Sequence, residues 1–428
     1  MLLVGVGLVT PTTHAEELRE LVRARTYVML RDVRQEIERN YYDPTFKGID
    51  LGARADLAKA RIAKATSIGE AFAAIAQFAL ELDDSHTFFV PPAQTVRVDY
   101  GWKMAMIEDG CYVVRVKPGS DAARQDVAPG DRVAAVNGFR PSRDNLWRLE
   151  YMFDVLRPQP GLHVELVAPA GKVRELDLAA RVDHRKSVVD LTGADGGDIA
   201  HEIQESEKAF DERQPTTAEL GSDVLIVRLP SFSVPESSVR RILRLAHGHA
   251  ILILDLRGNR GGSAEILQVL LGGLAPADVT IGSYREREQS RPLVAKGSGR
   301  GAFKGRVFVL VDAESASASE LLARAVQLTN RGTIIGDKTA GAVMLSRYRP
   351  LIAASGNNVI AYGALVTVAD IVMSDGGRLE KNGVEPDFKV VPTAEDLAAG
   401  RDPALARAAT LAGRPMDATA AGALLPRN

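Results

Sequence analysis

Hydrophobic residues recur every three to four positions through "ELRELVRARTYVMLRDVRQEIERNYY" and again, more strongly, through "GEAFAAIAQFALEL". That period predicts a helical region over 16–92, halted by Asp83, Asp84 and the prolines at 91 and 92. From residue 96 the texture changes to short alternating runs. Tyr112 to Val116 and the stretch ending at Asn137-Gly138 read as strands between Pro-Gly turns, with a short helix near Ala122. A β domain is therefore expected over 96–182. Residues 186–222 are polar, with "TGADGG" and "DERQPTTAELGSD" around a short helical pattern at 201–210, and read as a linker or insertion. From Val224 onward, continuous apolar runs such as "ILILD" and "RVFVLV" alternate with helical stretches. That alternation predicts an α/β layer with a largely parallel sheet over 223–400, followed by a last helix and tail over 401–428.

Composition narrows the classes. Hydrophobic content of 46%, charged content of 25% and a net charge of -2 describe an ordinary globular protein. They give no electrostatic case for nucleic acid or an anionic membrane surface. No apolar run reaches the ~18 residues of a spanning helix, so no stable membrane insertion is expected. The single cysteine, Cys111, cannot form an internal disulfide. Leu2 to Val9 followed by Thr13 and Ala15 resembles a secretory leader over 1–15 without a basic start, and suggests export to a periplasmic or extracellular space.

Two fragments lead nowhere. "HEIQE" at His201 has Glu205 where a zinc helix needs a second histidine, and the other histidines are scattered, so no metal and no cofactor is expected. "GSGRGAFKG" lacks the Lys-Ser/Thr of a phosphate loop. "SASASE", residues 315–320, is richer. It stands between a strand and a helix, and Ser317 with Glu320 forms the sequence of a capping box. The same turn would present a serine at the sheet edge beside free helix N–H groups, where a nucleophile could sit. "DLRGNRGG" places Gly261 and Gly262 at the carboxyl end of the preceding strand, where active sites of parallel sheets collect.

Six motifs occur in order: "LDDSHT" (82–87), "PGDRVAAVNG" (129–138), "DLRGNRGG" (255–262), "SASASE" (315–320), "GDKTAG" (336–341) and "NGVEPD" (382–387). Together they make the chain resemble the C-terminal processing (tail-specific) serine peptidases and the core of the tricorn protease, from about Glu17 to about Ala409. The resemblance implies a Clp-protease/crotonase-like spiral peptidase core, with an inserted PDZ-like β domain and an N-terminal helical region. It implies Ser317 as nucleophile, with oxyanion N–H groups from Ala318 and from Gly261 or Gly262. The serine–lysine members of that family carry a lysine after the glycine of "T-x-G-K-G", where this chain has Ala342. The tricorn-type arrangement supplies a histidine instead, and the matching residues are His86 as base, Ser85 beside it and Glu380, with Asp375 and Glu385 as nearby carboxylates. A neutral imidazole can take a serine proton near neutral pH.

"YGWKM" stands where the peptide-carboxylate loop and binding strand of a PDZ-like domain would lie, which makes Tyr100, Gly101 and Trp102 candidate peptide contacts. Trp102 replaces a smaller apolar residue and would partly fill the groove. The expected partners are protein or peptide chains, and a homo-oligomer is compatible with the pattern. Two alternatives stand beside this reading: a non-catalytic PDZ-containing scaffold, and a serine–lysine peptidase that uses Lys338.

Overall fold

The structure, a computed structural model, describes residues 11–92, 96–184, 214–355 and 358–425. The apolar part of the expected leader and the helical pattern at 201–210, with its "HEIQE", lie outside them. Two units divide the chain, and each is taken by itself.

The first unit draws on Met1–Ala93, Tyr151–Arg157 and Leu345–Ala369. Three helices, Pro11–Asn40, Leu51–Lys64 and Ile68–Leu80, follow the helical period of the sequence. Val33, Ile37 and Tyr41 fall one turn apart and bury one stripe, against Ala58 and Ile62 of the second helix and Ile75 and Phe78 of the third. Asp50 caps the second helix through the N–H groups of Gly52 and Ala53, and Ser67 caps the third through that of Glu70. Full burial of each large side chain contributes roughly 1.5–3 kcal/mol.

Strand Phe88–Val90 pairs antiparallel with the chain at Gly363–Leu365, so Phe89, Tyr362 and Val366 close the core from the sheet side. The helical turn Tyr151–Leu156 belongs here too: the Tyr151 ring packs on Phe88, its hydroxyl donates to the Phe89 carbonyl, and Leu156 is buried in the core. The helical region expected over 16–92 thus takes in two stretches expected elsewhere. Each carries apolar side chains that the helices alone leave uncovered.

The described residues of the second unit hold a five-stranded, a two-stranded and a six-stranded sheet, besides the antiparallel pair Val279–Glu286 and Ser290–Ala295. Trp102–Ile107, Gly110–Val116, Arg132–Val136, Gly161–Val167 and Val173–Ala179 form an antiparallel sheet in chain order, and Val96–Asp99 pairs with Arg181–His184. The six-stranded sheet has the order Phe388–Lys389, Thr333–Gly336, Arg306–Val311, Ile251–Asp255, Val224–Arg228 and Thr216–Leu220. All its pairs are parallel except the last. Its central strands are buried on both faces, as continuous apolar runs require.

Two sequence expectations need correction. Thr216–Leu220, placed in a linker, is an edge strand; only Ala218 and Leu220 turn to the core, so its alternating polarity hid it. The tail contains two helices, Pro403–Leu411 and Ala418–Leu424, and Leu405, Ala408, Ala421 and Leu425 are buried in the sheet core. Small alanines concealed that amphipathic face. Among the described residues, no helix is long and apolar enough to cross a membrane.

Candidate active site

Strand Arg306–Val311 ends at a tight turn held by its own polar groups. The Ser315 hydroxyl donates to the Leu256 carbonyl (2.9 Å) and accepts the Asp312 N–H (3.0 Å). The Ser319 hydroxyl donates to the Asn259 carbonyl (2.8 Å). Both serines are fully buried, whereas Ser317 between them is half-buried. Two of the three serines are therefore structural. Ser317 is the N-cap of helix Ala318–Leu328 with φ 55° and ψ -116°, a left-handed backbone that costs a serine of order 1–3 kcal/mol. Its N–H donates to the Ala342 carbonyl (2.9 Å) and to Glu320 Oε2 (3.1 Å), the carboxylate half of the expected capping box.

The glycine turn lies against this serine. A methyl group at Gly261 would stand 2.7 Å from Ser317 Cβ and 3.2 Å from the Ala318 nitrogen, and φ there is 97°. Only glycine permits that approach. Fully buried Asn259 joins the two turns: its carbonyl accepts the Ala316 N–H (3.0 Å) as well as the Ser319 hydroxyl, and its amide donates to Leu229 (2.8 Å). Asn259 Oδ1 also accepts the Gly261 N–H (2.8 Å). This corrects one expectation, because a bonded Gly261 N–H is not offered to an oxyanion. The N–H groups of Gly262 and Ala318 donate to no acceptor among the described residues, Ala318 being the first residue of its helix. Beneath the turn, buried Arg257 pairs with Asp255 (2.8 Å) and Asp402 (2.7 Å), and these two carboxylates hold it firmly protonated.

Segment 337–343 wraps the serine turn. Glu380 Oε2 accepts the Val343 N–H (2.8 Å), and Lys381 N–H donates to the Gly341 carbonyl (2.7 Å). Glu380 thereby lies beside the loop that bonds Ser317. The two carboxylates weighed against it face elsewhere: Asp375 pairs with Arg324 (2.6 Å) and Glu385 with Lys338 (3.0 Å). Lys338 is 41% exposed in that ion pair.

The Ser85–His86 pair belongs to the first unit. Ser85 Oγ lies 2.6 Å from His86 Nδ1, which leaves Nε2 as the other reactive nitrogen. Burial lowers the His86 pKa below its ordinary 6.5, with Asp84 pulling the other way. Asp84, nearly fully buried, accepts the backbone N–H groups of His86 (2.9 Å) and Thr87 (2.7 Å) and the hydroxyls of Thr87 (3.1 Å), Tyr41 (2.8 Å) and Thr367 (2.9 Å). Neither Asp84 nor Asn259 is conspicuous in the sequence. A polar residue next to a candidate catalytic one is the available signal, and only burial gives it weight.

In the antiparallel sheet region, Tyr100 and Gly101 line a cavity of about 330 Å³ together with Lys117, Ser120, Arg124 and Arg181. Gly101 has φ 74° and donates its N–H to Asp99 (2.9 Å). Trp102 does not line the cavity; its indole N–H is buried without a partner among the described residues. The described residues contain no group of three or more side chains suited to a metal.

Residues 223–390 match the model of peptidase family S41. The tail-specific protease of Haemophilus influenzae is 26% identical over 330 residues, a match covering 73% of this chain and 44% of that one. Tricorn protease homolog 1 of Streptomyces coelicolor is 24% identical over 310 residues, covering 63% and 27%. The chain thus spans less than half the length of either. Chloroplastic carboxyl-terminal-processing peptidase 2 of Arabidopsis thaliana is 25% identical over 394 residues, covering 86% and 71%. Among solved structures, mature CPAF complexed with lactacystin aligns with a TM-score of 0.64 at 15% identity, covering 88% of this chain and 96% of that one. The photosystem II D1 C-terminal processing protease aligns at 0.51 and 21% identity, covering 86% and 93%. At such identities the likeness is one of fold.

Proposed function

We propose that the chain, whose residues 223–390 match the model of peptidase family S41, is a serine peptidase cleaving extended protein or peptide chains through an acyl-enzyme. The Ser317 turn carries this reading: a half-buried serine in a left-handed backbone, capping a helix and pressed against a glycine turn. In the proposed cycle Ser317 Oγ attacks the peptide carbonyl carbon while its proton passes to His86. The resulting oxyanion takes hydrogen bonds from the N–H groups of Gly262 and Ala318. Collapse breaks the C–N bond, and the departing amine takes the proton from His86. Water then repeats the sequence on the ester, releasing the acid and restoring Ser317. Ser85 orients the imidazole and Glu380 is the acidic member of the set. An extended chain would bind as in a PDZ-like groove beside the Tyr100–Gly101 cavity, whose Lys117 and Arg124 are paired with Asp99 and Asp121 in its walls.

Hydrolysis of fluorescein-labelled casein by the wild type, Ser317→Ala, His86→Ala and Lys338→Ala tests the assignment. Activity is expected in the wild type and Lys338→Ala and absent from the other two. Normal cleavage by His86→Ala with an inactive Lys338→Ala would overturn the histidine assignment. Tight casein binding without cleavage by any form would establish the scaffold instead.

A further inference from the structure

Glu320 sits in the third position of helix Ala318–Leu328 and is fully buried. Its Oε1 accepts the Thr339 hydroxyl (2.6 Å) and the Gly341 N–H (2.8 Å). Its Oε2 accepts the Ala342 N–H (2.9 Å) and the Ser317 N–H (3.1 Å). A capping box needs only the last of these. The other three come from the loop whose Ala342 carbonyl also receives the Ser317 N–H (2.9 Å). The backbone of Ala342 is thus held on both sides, its N–H donating to Glu320 and its carbonyl accepting the Ser317 N–H.

All four partners are donors. The Thr339 hydroxyl accepts the Val384 N–H (2.6 Å), so its own proton is directed to Glu320. A carboxylate meets such a set, whereas an amide offers one acceptor oxygen and turns its NH2 toward two donors. We propose that Glu320 is a positioning residue for the peptidase reaction: its carboxylate clamps the Ser317 turn to segment 339–342 and fixes the direction of the nucleophile. The proposal rests on the serine-peptidase reading. The left-handed backbone of Ser317 gives the clamp its task, since a strained turn persists only where its surroundings over-determine it.

Burial pushes the Glu320 carboxyl up to about 7, against the four hydrogen bonds that hold it down. The groups facing it, from Ser317, Thr339, Gly341 and Ala342, are all uncharged. Below that pH the clamp is protonated and one donor loses its acceptor.

The test is the pH profile of casein hydrolysis by the full chain and by Glu320→Gln, Thr339→Val and Ser317→Ala, with a thermal melt of each. Glu320→Gln is expected to lower kcat about 100-fold at unchanged KM, the scale of an ångström of misplacement. Its kcat/KM should lose the acid limb near 7 and keep only the lower limb of His86. Thr339→Val, which removes one stabilising donor, should move the limb upward instead. A folded Glu320→Gln with kcat within threefold of wild type overturns the proposal. If Glu320→Gln does not fold, an unmoved limb in Thr339→Val overturns it and an upward shift supports it. Cleavage that persists in Ser317→Ala refutes Ser317 as the nucleophile, and the clamp with it.

Discussion

The turn that carries His86 and the turn that carries Ser317 are both built on a buried carboxylate surrounded by donors, yet the donors differ in kind. Asp84 receives three side-chain hydroxyls and two backbone N–H groups. The hydroxyls come from a helix end, from its own loop and from a strand far along the chain. Glu320 receives one hydroxyl and three backbone N–H groups. The first arrangement uses side chains to tie distant elements into one loop. The second uses peptide groups to hold a strained backbone. Side-chain donors can be removed one at a time, whereas peptide donors yield only when the carboxylate or the path of the chain is changed.

That contrast can be broken or sharpened in order of effect. Ser317→Ala and His86→Ala should each reduce kcat on the order of 10⁴-fold or more, and the double variant should be no worse than either, as groups acting together require. A double variant markedly slower than both would separate the two turns chemically. Gly261→Ala should cost about 100-fold in kcat with a cooperative melt retained, because its methyl would meet Ser317 Cβ at 2.7 Å; unchanged kinetics would remove the close approach from the argument. Asp84→Asn replaces an acceptor of five bonds and should lower stability by roughly 1–3 kcal/mol. Denaturant titration reads that loss, and a shift below half a kcal/mol would contradict the anchoring role. Tyr41→Phe deletes one hydroxyl and should cost about 1 kcal/mol at near-normal activity. A collapse of activity there would mean that Asp84 steers His86 more tightly than its other donors suggest.

The sequence declares some of this and hides the rest for definable reasons. Long periodic runs place the first and third helices, and continuous apolar runs place the central parallel strands, because burial of many side chains writes a pattern. "SASASE" and "DLRGNRGG" mark two turns, and the second explains itself once Gly261 is seen against Ser317. The hydrogen bonds of Asn259, Asp84 and Glu320 leave no pattern: each is one polar residue whose importance comes from burial and from partners distant in sequence. Glu320 reads locally as a box partner, and its bonds to Thr339, Gly341 and Ala342 depend on where a later loop returns. The edge strand Thr216–Leu220 and the alanine-rich helix Ala418–Leu424 evade periodicity because edges are polar and alanine carries little contrast.

The bond from Thr367 to Asp84 has a consequence for synthesis. It joins positions 283 apart, and the strand pairing Phe88 with Leu365 lies beside it. A ribosome adding on the order of 5–20 residues per second releases the helices, then Ser317, and only afterwards the strand that completes the seat of His86. A nascent chain therefore holds Ser317 before the loop of His86 has been finished. On the proposed serine-peptidase reading, cleavage by this chain waits until the strand that carries Thr367 has emerged.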